Sequence, residues 1–283
     1  MEWLKKFGAA IDYVEANLDK EISSEEAARI ACCSPYYFQR LFSYISGVTL
    51  SEYIRRRKMT QAAFDLQRED CKVMEVALKY GYSSPTAFNR AFRKVHGIAP
   101  MEAKAAGGTV QAYTPMHLTV ELTGANVMAY RITKKGPIRI VGIRISLTED
   151  VAENWKRVPD FWKSTVKGKQ FTRICQLSNQ EPQGILGVSV YEKPGEIYYY
   201  IGVATDASVP QGMYACEIPE ALWVVFENEG NFQEDVQSIF GRFYREWLPF
   251  SGYRYAQLPD MEVYPMDIGR NAYGHSEVWI AIE

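Results

Sequence analysis

Arg40 and Arg90 stand in the same frame of a repeated motif. Ser34-Pro35-x-x-Phe38-x-Arg40-x-Phe42 returns as Ser84-Pro85-x-x-Phe88-x-Arg90-x-Phe92. Each run closes on a glycine and an aliphatic residue, Gly47-Val48 and Gly97-Ile98. On a 3.6-residue wheel Phe38, Leu41, Phe42 and Ile45 form one stripe, with Tyr36, Gln39, Arg40 and Ser43 opposite. In the second copy Phe88, Ala91, Phe92 and Val95 point in, and Thr86, Asn89, Arg90 and Arg93 point out. The outward sets hold the groups that read duplex DNA: arginine bonds guanine, Gln and Asn bond adenine, hydroxyls fit either. One polar helix face implies only solvent exposure. Two with the same cap, register and glycine stop imply a single reading unit used twice.

A second constellation lies in the C-terminal half, where Tyr191, Tyr198, Tyr200, Trp223, Phe226 and Trp279 accompany carboxylates such as Glu196 and Glu277. Strand alternation puts Glu196, Tyr198 and Tyr200 on one face and Ile197, Tyr199, Ile201 and Val203 on the other. An aromatic concavity with an acid suits a cationic or flat lipophilic compound, through cation–π contact and a carboxylate. The competing reading is that most of these rings are simply core.

Other chemistries lack support. The three histidines, His96, His117 and His275, have no second ligand type at helical spacing, and Cys32-Cys33 lacks a metal-binding step. No metal and no cofactor is expected. Nucleotide-binding and nucleophile-elbow motifs do not occur. No apolar run approaches a membrane span, the N-terminus lacks a signal-peptide apolar segment, and five cysteines without framework spacing fit a reducing cytoplasm. Charge is uneven along the chain. Residues 1–106 carry 16 Lys/Arg against 13 Asp/Glu, whereas residues 107–283 carry 16 against 21. Arg40, Arg55, Arg56, Arg57 and Lys58 cluster against the single acid Glu52, which favours a polyanion for the first part.

The elements that must position these groups follow from periodicity. Trp3, Phe7, Ala10, Ile11, Val14 and Leu18 mark an opening amphipathic helix, and Ser23 or Ser24 caps a second that ends at the turn Cys32-Cys33. Ser34-Pro35 and Ser84-Pro85 each start a helix, proline being suited to the first helical position. A helix over 50–67, roughly 27 Å long at 1.5 Å per residue, separates the repeats. Such a strut could set two reading helices near one duplex turn apart, about 34 Å. Gly97, Pro100 and Gly107-Gly108 end the helical region. Beyond them, β-rich runs at 127–133, 138–145, 184–191, 197–204, 213–218, 222–227, 261–264 and 277–282 surround helical runs at 149–166 and 232–247. The order is strand, strand, helix, strand, strand, twice over. The expected fold is therefore an all-α double helix-turn-helix domain followed by an α+β domain of duplicated antiparallel units.

Residues 1–106 resemble the AraC/XylS family of bacterial transcription regulators. The resemblance runs through Ser34-Pro35-Tyr36-Tyr37-Phe38-Gln39-Arg40-Leu41-Phe42, Ser51-Glu52-Tyr53-Ile54-Arg55-Arg56-Arg57-Lys58, Ala77-x-x-Tyr80-Gly81-Tyr82 and Gly97-Ile98-Ala99-Pro100. It implies promoter binding and activation by contact with RNA polymerase. By position, Tyr36, Gln39 and Arg40 match the family's first base-reading set, and Pro85, Thr86, Ala87 and Arg90 the second. Two departures matter. Cys32 stands where glycine is common, and a left-handed backbone there would cost about 1–2 kcal/mol. Pro85 and Ala87 lack side-chain donors, which leaves Asn89, Arg90 and shape readout to carry the second site.

Residues 125–283 resemble, more loosely, the GyrI-like effector-binding domain. The duplicated strand order and the ending Ser276-Glu277-Val278-Trp279-Ile280-Ala281-Ile282 carry that likeness. It makes Glu277 the candidate ligand acid, with Ala281 where proline is frequent. The resulting expectation is a DNA-binding domain over 1–106, a linker over 107–124 and a small-molecule domain over 125–283. The chain would be a non-enzymatic regulator answering to a small effector. The alternatives are a hydrolase, with a glutamate as general base, or a sequestering protein that uses the same pocket.

Overall fold

A computed structural model describes residues 2–68, 71–105, 108–117, 128–193, 195–232, 234–271 and 273–283. The chain divides into two compact units, Met1–Glu121 and Leu122–Glu283. The first is helical: α1 Glu2–Ala16, α2 Ser24–Ala31, α3 Pro35–Ser46, α4 Leu50–Arg68, α5 Val73–Lys79, α6 Pro85–His96 and α7 Pro100–Lys104. Local chemistry explains the boundaries. The Ser34 hydroxyl accepts from the Tyr37 amide at 3.2 Å, and the Ser84 hydroxyl from Ala87 at 3.4 Å, each ahead of a proline at the first turn. Gly47 and Gly97 close the two helices at φ 73° and 79°, a left-handed setting that favours glycine. Helix α7, which periodicity missed, starts at Pro100, so that proline opens a helix as well as ending the one before.

The inner stripes stack into aromatic cores. Phe38 lies 5.6 Å from Phe7 and 6.5 Å from Phe42, and Phe42 lies 5.3 Å from Tyr53. In the second copy Phe88 and Phe92 are 5.7 Å apart, within a cluster that includes Met59, Leu66, Val76 and Tyr80. Ile45, expected in the first stripe, is only half-buried.

The second unit is one eight-stranded sheet with helices. Its strands are β1 Tyr130–Lys135, β2 Ile138–Ser146, β3 Ile185–Lys193, β4 Glu196–Ala204, β5 Tyr214–Ile218, β6 Ala221–Asn231, β7 Met261–Tyr264 and β8 Tyr273–Ile282. Between β2 and β3 come α8 Val151–Lys167 and α9 Lys169–Cys175. Between β6 and β7 come α10 Glu234–Arg242, a π-helical turn Phe243–Trp247 and α11 Leu248–Ser251. Every recorded pairing is antiparallel, in the order β1-β6-β8-β7-β3-β4-β2-β5. Alternation then sorts the side chains. Leu186, Val188, Tyr200, Trp223, Val225, Met261 and Trp279 form a core on one face. Residues one step out of phase, such as Tyr199, Phe226 and Glu262, lie on the other. On that second face Trp162 of α8 reaches Tyr199, and Phe243 and Trp247 pack on Phe226.

Two expectations need restating. The beginning of the strand expected at 127–133 lies outside the described residues. Of the stretch 107–124 expected as a linker, residues 108–117 are bonded to helices of the first unit, while 107 and 118–124 lie outside the described residues.

Candidate functional site

Helix α6 presents Pro85, Thr86, Asn89, Arg90 and Arg93 exposed, with Ala87 half-buried. Among the described residues, Asn89, Arg90 and Arg93 make no side-chain hydrogen bond or ion pair. Helix α3 differs. Gln39 and Arg40 are half-buried, and Arg40 donates through Nε and Nη2 to the Tyr44 hydroxyl at 3.3 and 3.2 Å. Its guanidinium also lies 5.4 Å from the Tyr44 ring centre. Tyr36 and Ser43, expected to face outward, are buried at 6% and 2% exposure, and the Ser43 hydroxyl donates to the Gln39 carbonyl at 2.8 Å. The reason is that α3 packs against both α2 and α4. A wheel assigns one buried face, whereas two neighbours cover more than one.

The basic block of α4 is engaged within the protein. Arg57 is buried, and its Nη2 pairs with Glu15 at 2.8 Å. Arg55 and Arg56 both pair with Glu52, and Lys58 donates to the Lys20 carbonyl at 3.1 Å. Arg57 and Lys58 tie α4 to other segments, whereas Arg55 and Arg56 pair within α4; on α6, Arg90, Arg93 and Lys94 are exposed. At the turn before α3, Cys32 does adopt the left-handed setting, φ 57° and ψ 44°, where the second copy has Gly81 at φ 86°. Burial together with the neighbouring Cys32 pushes the Cys33 thiol up to about 12, so it stays protonated.

In the sheet unit a cavity of about 710 Å³ opens on the helix-bearing face. Its aromatic lining is Trp162, Tyr199, Phe232 and Tyr264, and its acid is Glu262. Asp160, Lys163, Lys167 and Arg270 also line it, all exposed. Glu262, on β7, is 8% exposed. Its Oε2 accepts from the Tyr199 hydroxyl at 2.7 Å and the Tyr264 hydroxyl at 3.2 Å. Burial first, and the Glu262 charge second, hold the Tyr199 hydroxyl well above the ordinary tyrosine range. The phenol therefore keeps its proton. Since it accepts from Trp162 Nε1–H at 2.8 Å, its own proton is directed at Glu262. Gly187 lies directly across from Glu262 in the β3–β7 pairing. A Cβ there would come within 2.2 Å of the Tyr199 hydroxyl and 2.8 Å of Glu262 Oε2, so only glycine leaves room for this arrangement.

None of the seven residues expected to bind ligand lines that cavity. Tyr200, Trp223 and Trp279 are buried in the core of the opposite face, with Tyr198 packed against it. Phe226 is buried under Phe243 and Trp247. Tyr191 is half-buried on β3. Glu277 and Trp279 border a smaller space of about 360 Å³, but an arginine of the chain already answers them. Arg131 Nη2 pairs with Glu277 at 2.7 Å, its guanidinium lies 5.6 Å from the Trp279 ring, and Trp279 Nε1 donates to Glu277 at 2.7 Å. Tyr198 and Tyr200 are answered in the same way. Arg144 lies 3.8 Å from the Tyr198 ring centre and 4.4 Å from that of Tyr214, and donates to the Tyr200 hydroxyl at 2.8 Å. Alternation places Tyr198 and Tyr200 on the face opposite Tyr199, and the 710 Å³ cavity lies on the Tyr199 side. The usable signal was Tyr199 and Glu262-x-Tyr264, which share a face.

The fold and sites thus define a pair of helix-turn-helix motifs, the second with its polar face exposed, and an antiparallel sheet unit with an acid-floored aromatic cavity. The chain belongs to the family of integron-associated effector binding proteins, whose model matches residues 131–282, and a helix-turn-helix domain model matches residues 27–106. Its N-terminal unit is of the AraC type. It is 39% identical over 88 residues to the transposon Tn10 TetD protein of Escherichia coli, covering 31% of this chain and 64% of that one. It is 36% identical over 88 residues to the transcriptional activator AarP of Providencia stuartii, covering 31% and 65%. The multiple antibiotic resistance protein MarA of Salmonella typhimurium is 31% identical over 90 residues, covering 32% and 71%. The chain therefore spans just under two thirds of the first two relatives. Among the described residues, no helix is long and apolar enough to cross a membrane.

Proposed function

We propose that this chain is a cytoplasmic transcription regulator whose α3 and α6 bind adjacent stretches of duplex DNA, and whose sheet unit senses a small aromatic cation. The observation that carries the reading is the coexistence, in one chain, of an unpartnered basic helix face and a roomy cavity floored by a buried carboxylate. The helix face gives a polyanion its contacts. A buried carboxylate ringed by aromatics favours an organic cation through charge and cation–π attraction. Likeness to relatives named as regulators, AarP among them as an activator, supports contact with RNA polymerase. The doubled strand-strand-helix-strand-strand reading is supported by the strand order, which reverses when β1–β4 are exchanged with β5–β8. Such a doubled sheet would put the cavity at the β3–β7 seam between its halves. The acid is read as a binding group, not a general base, because both hydroxyls that touch it donate to it.

The test uses the full chain and crystal violet, a lipophilic triaryl cation. Binding should raise the melting temperature. Glu262→Gln should weaken binding by about 1.5–3 kcal/mol, the range for a lost charged partner, while Glu277→Gln should leave it near wild type. Equal binding by wild type and Glu262→Gln would contradict the cavity reading. Chemical turnover of the cation beyond one equivalent would favour the hydrolase alternative.

A further inference from the structure

Residues 108–117 run beside the helices of the first unit, and their backbone is bonded at five points to side chains of two helices, α4 and α6. The Gly108 carbonyl accepts from Gln67 Nε2 at 3.1 Å. The Gln111 amide donates to His96 Nδ1 at 3.2 Å, the Tyr113 amide to the Thr60 hydroxyl at 3.1 Å, and the Met116 amide to the Tyr53 hydroxyl at 2.9 Å. The Tyr113 carbonyl accepts from Arg57, the buried cation that Glu15 neutralises. The side chains of Val110 and Tyr113 pack on the core beneath α6. The Gly108 amide donates to the Ala105 carbonyl at 3.1 Å; the other five bonds answer polar backbone groups of a segment that has no sheet partner with side chains.

His96 is the pivot. It is the last residue of α6, the helix with the exposed arginines, and its other nitrogen, Nε2, bonds the Met59 carbonyl of α4 at 3.0 Å. Since a carbonyl can only accept, Nε2 carries the proton and Nδ1 is left to accept from Gln111. One imidazole therefore joins the segment, α4 and α6.

We propose that residues 108–117 are a clamp that positions α6 relative to α4, so that Gln111, Tyr113 and Thr60 are positioning residues for the second reading helix without touching DNA. The inference rests on the DNA reading above but can fail separately from it. In the full chain, Gln111→Pro removes the amide donor and Thr60→Val removes the hydroxyl acceptor. Gln111→Ala and Thr60→Ser, which keep those groups, should behave as wild type. Hydrogen exchange of the free chain should show the end of α6 opening at least tenfold faster in the first two variants, with α3 as the unchanged internal control. Their affinity for duplexes that wild type selects from a random pool should fall about tenfold, with binding to unselected duplex unchanged. Equal acceleration in α3 and α6, or none in either, would overturn the clamp. A selection that enriches no duplex would refute the DNA reading and leave the exchange result to decide the clamp.

Discussion

The two helix-turn-helix motifs share a plan and differ in how much of their polar surface remains available. Both have a serine cap, proline at the first turn, a phenylalanine pair inside and a left-handed glycine at the end. In the first, Tyr36 and Ser43 are buried and Arg40 is engaged by Tyr44. In the second, Thr86, Asn89, Arg90 and Arg93 are exposed. The turns differ as well, with Cys32 in the conformation that Gly81 adopts without strain. The difference teaches that a repeated sequence pattern preserves the buried half of a motif better than its reading half. Arg40 must leave the Tyr44 hydroxyl before it can bond a base, whereas Arg90 has nothing to break.

If the copies differ only on their outer faces, their inner stripes should be equally costly to damage. Phe42→Ala and Phe92→Ala should each destabilise the first unit by about 3–5 kcal/mol, the usual range for a buried phenylalanine, in denaturant unfolding of the full chain. A gap between them as large as either effect would break the comparison. The turns should respond in opposite directions. Gly81→Ala should cost about 1–2 kcal/mol for a left-handed non-glycine residue, while Cys32→Gly should stabilise by up to about 1 kcal/mol, tempered by the extra freedom glycine brings to the unfolded chain.

A smaller asymmetry concerns pH. His96 ends α6, while its counterpart in α3 is Ser46. Burial holds the imidazole below its ordinary value, and its Nδ1 must be unprotonated to accept from Gln111. The unfolded chain therefore takes up this proton first as pH falls through about 6.5. Stability from neutral His96 is full above that pH and declines below it, until the folded imidazole also protonates. Hydrogen-exchange protection of α6 should thus weaken below about pH 6.5 more than that of α3, and His96→Gln should abolish the difference.

Much of this was legible in the chain itself, for physical reasons. Caps, proline at the first turn, glycine stops and the phenylalanine stripe are local, so the helices of the double motif fell where periodicity put them. Strand alternation likewise placed Tyr198 and Tyr200 opposite Tyr199. What alternation cannot say is which face the helices will roof, and the acid that lines the roofed cavity is Glu262, not Glu277. Nor does spacing reveal that Arg131 and Arg144 occupy the aromatic groups that looked receptive. Their contacts cross 146 and 56 residues of chain. The short helices α7 and α9 carry too few residues to show a period. The clamp was invisible because its bonds run from backbone amides, which no residue type announces.

The central claim is that α3 and α6 read duplex DNA, α6 with the freer hand. It is tested by comparing Arg90→Ala and Arg40→Ala, at one fixed salt concentration, on duplexes that the wild-type chain selects from a random pool. Arg90→Ala should lose about 1–3 kcal/mol of specific binding and relax preference at one position, and Arg40→Ala should lose less. Wild-type affinity and unchanged sequence preference in both variants would contradict the account.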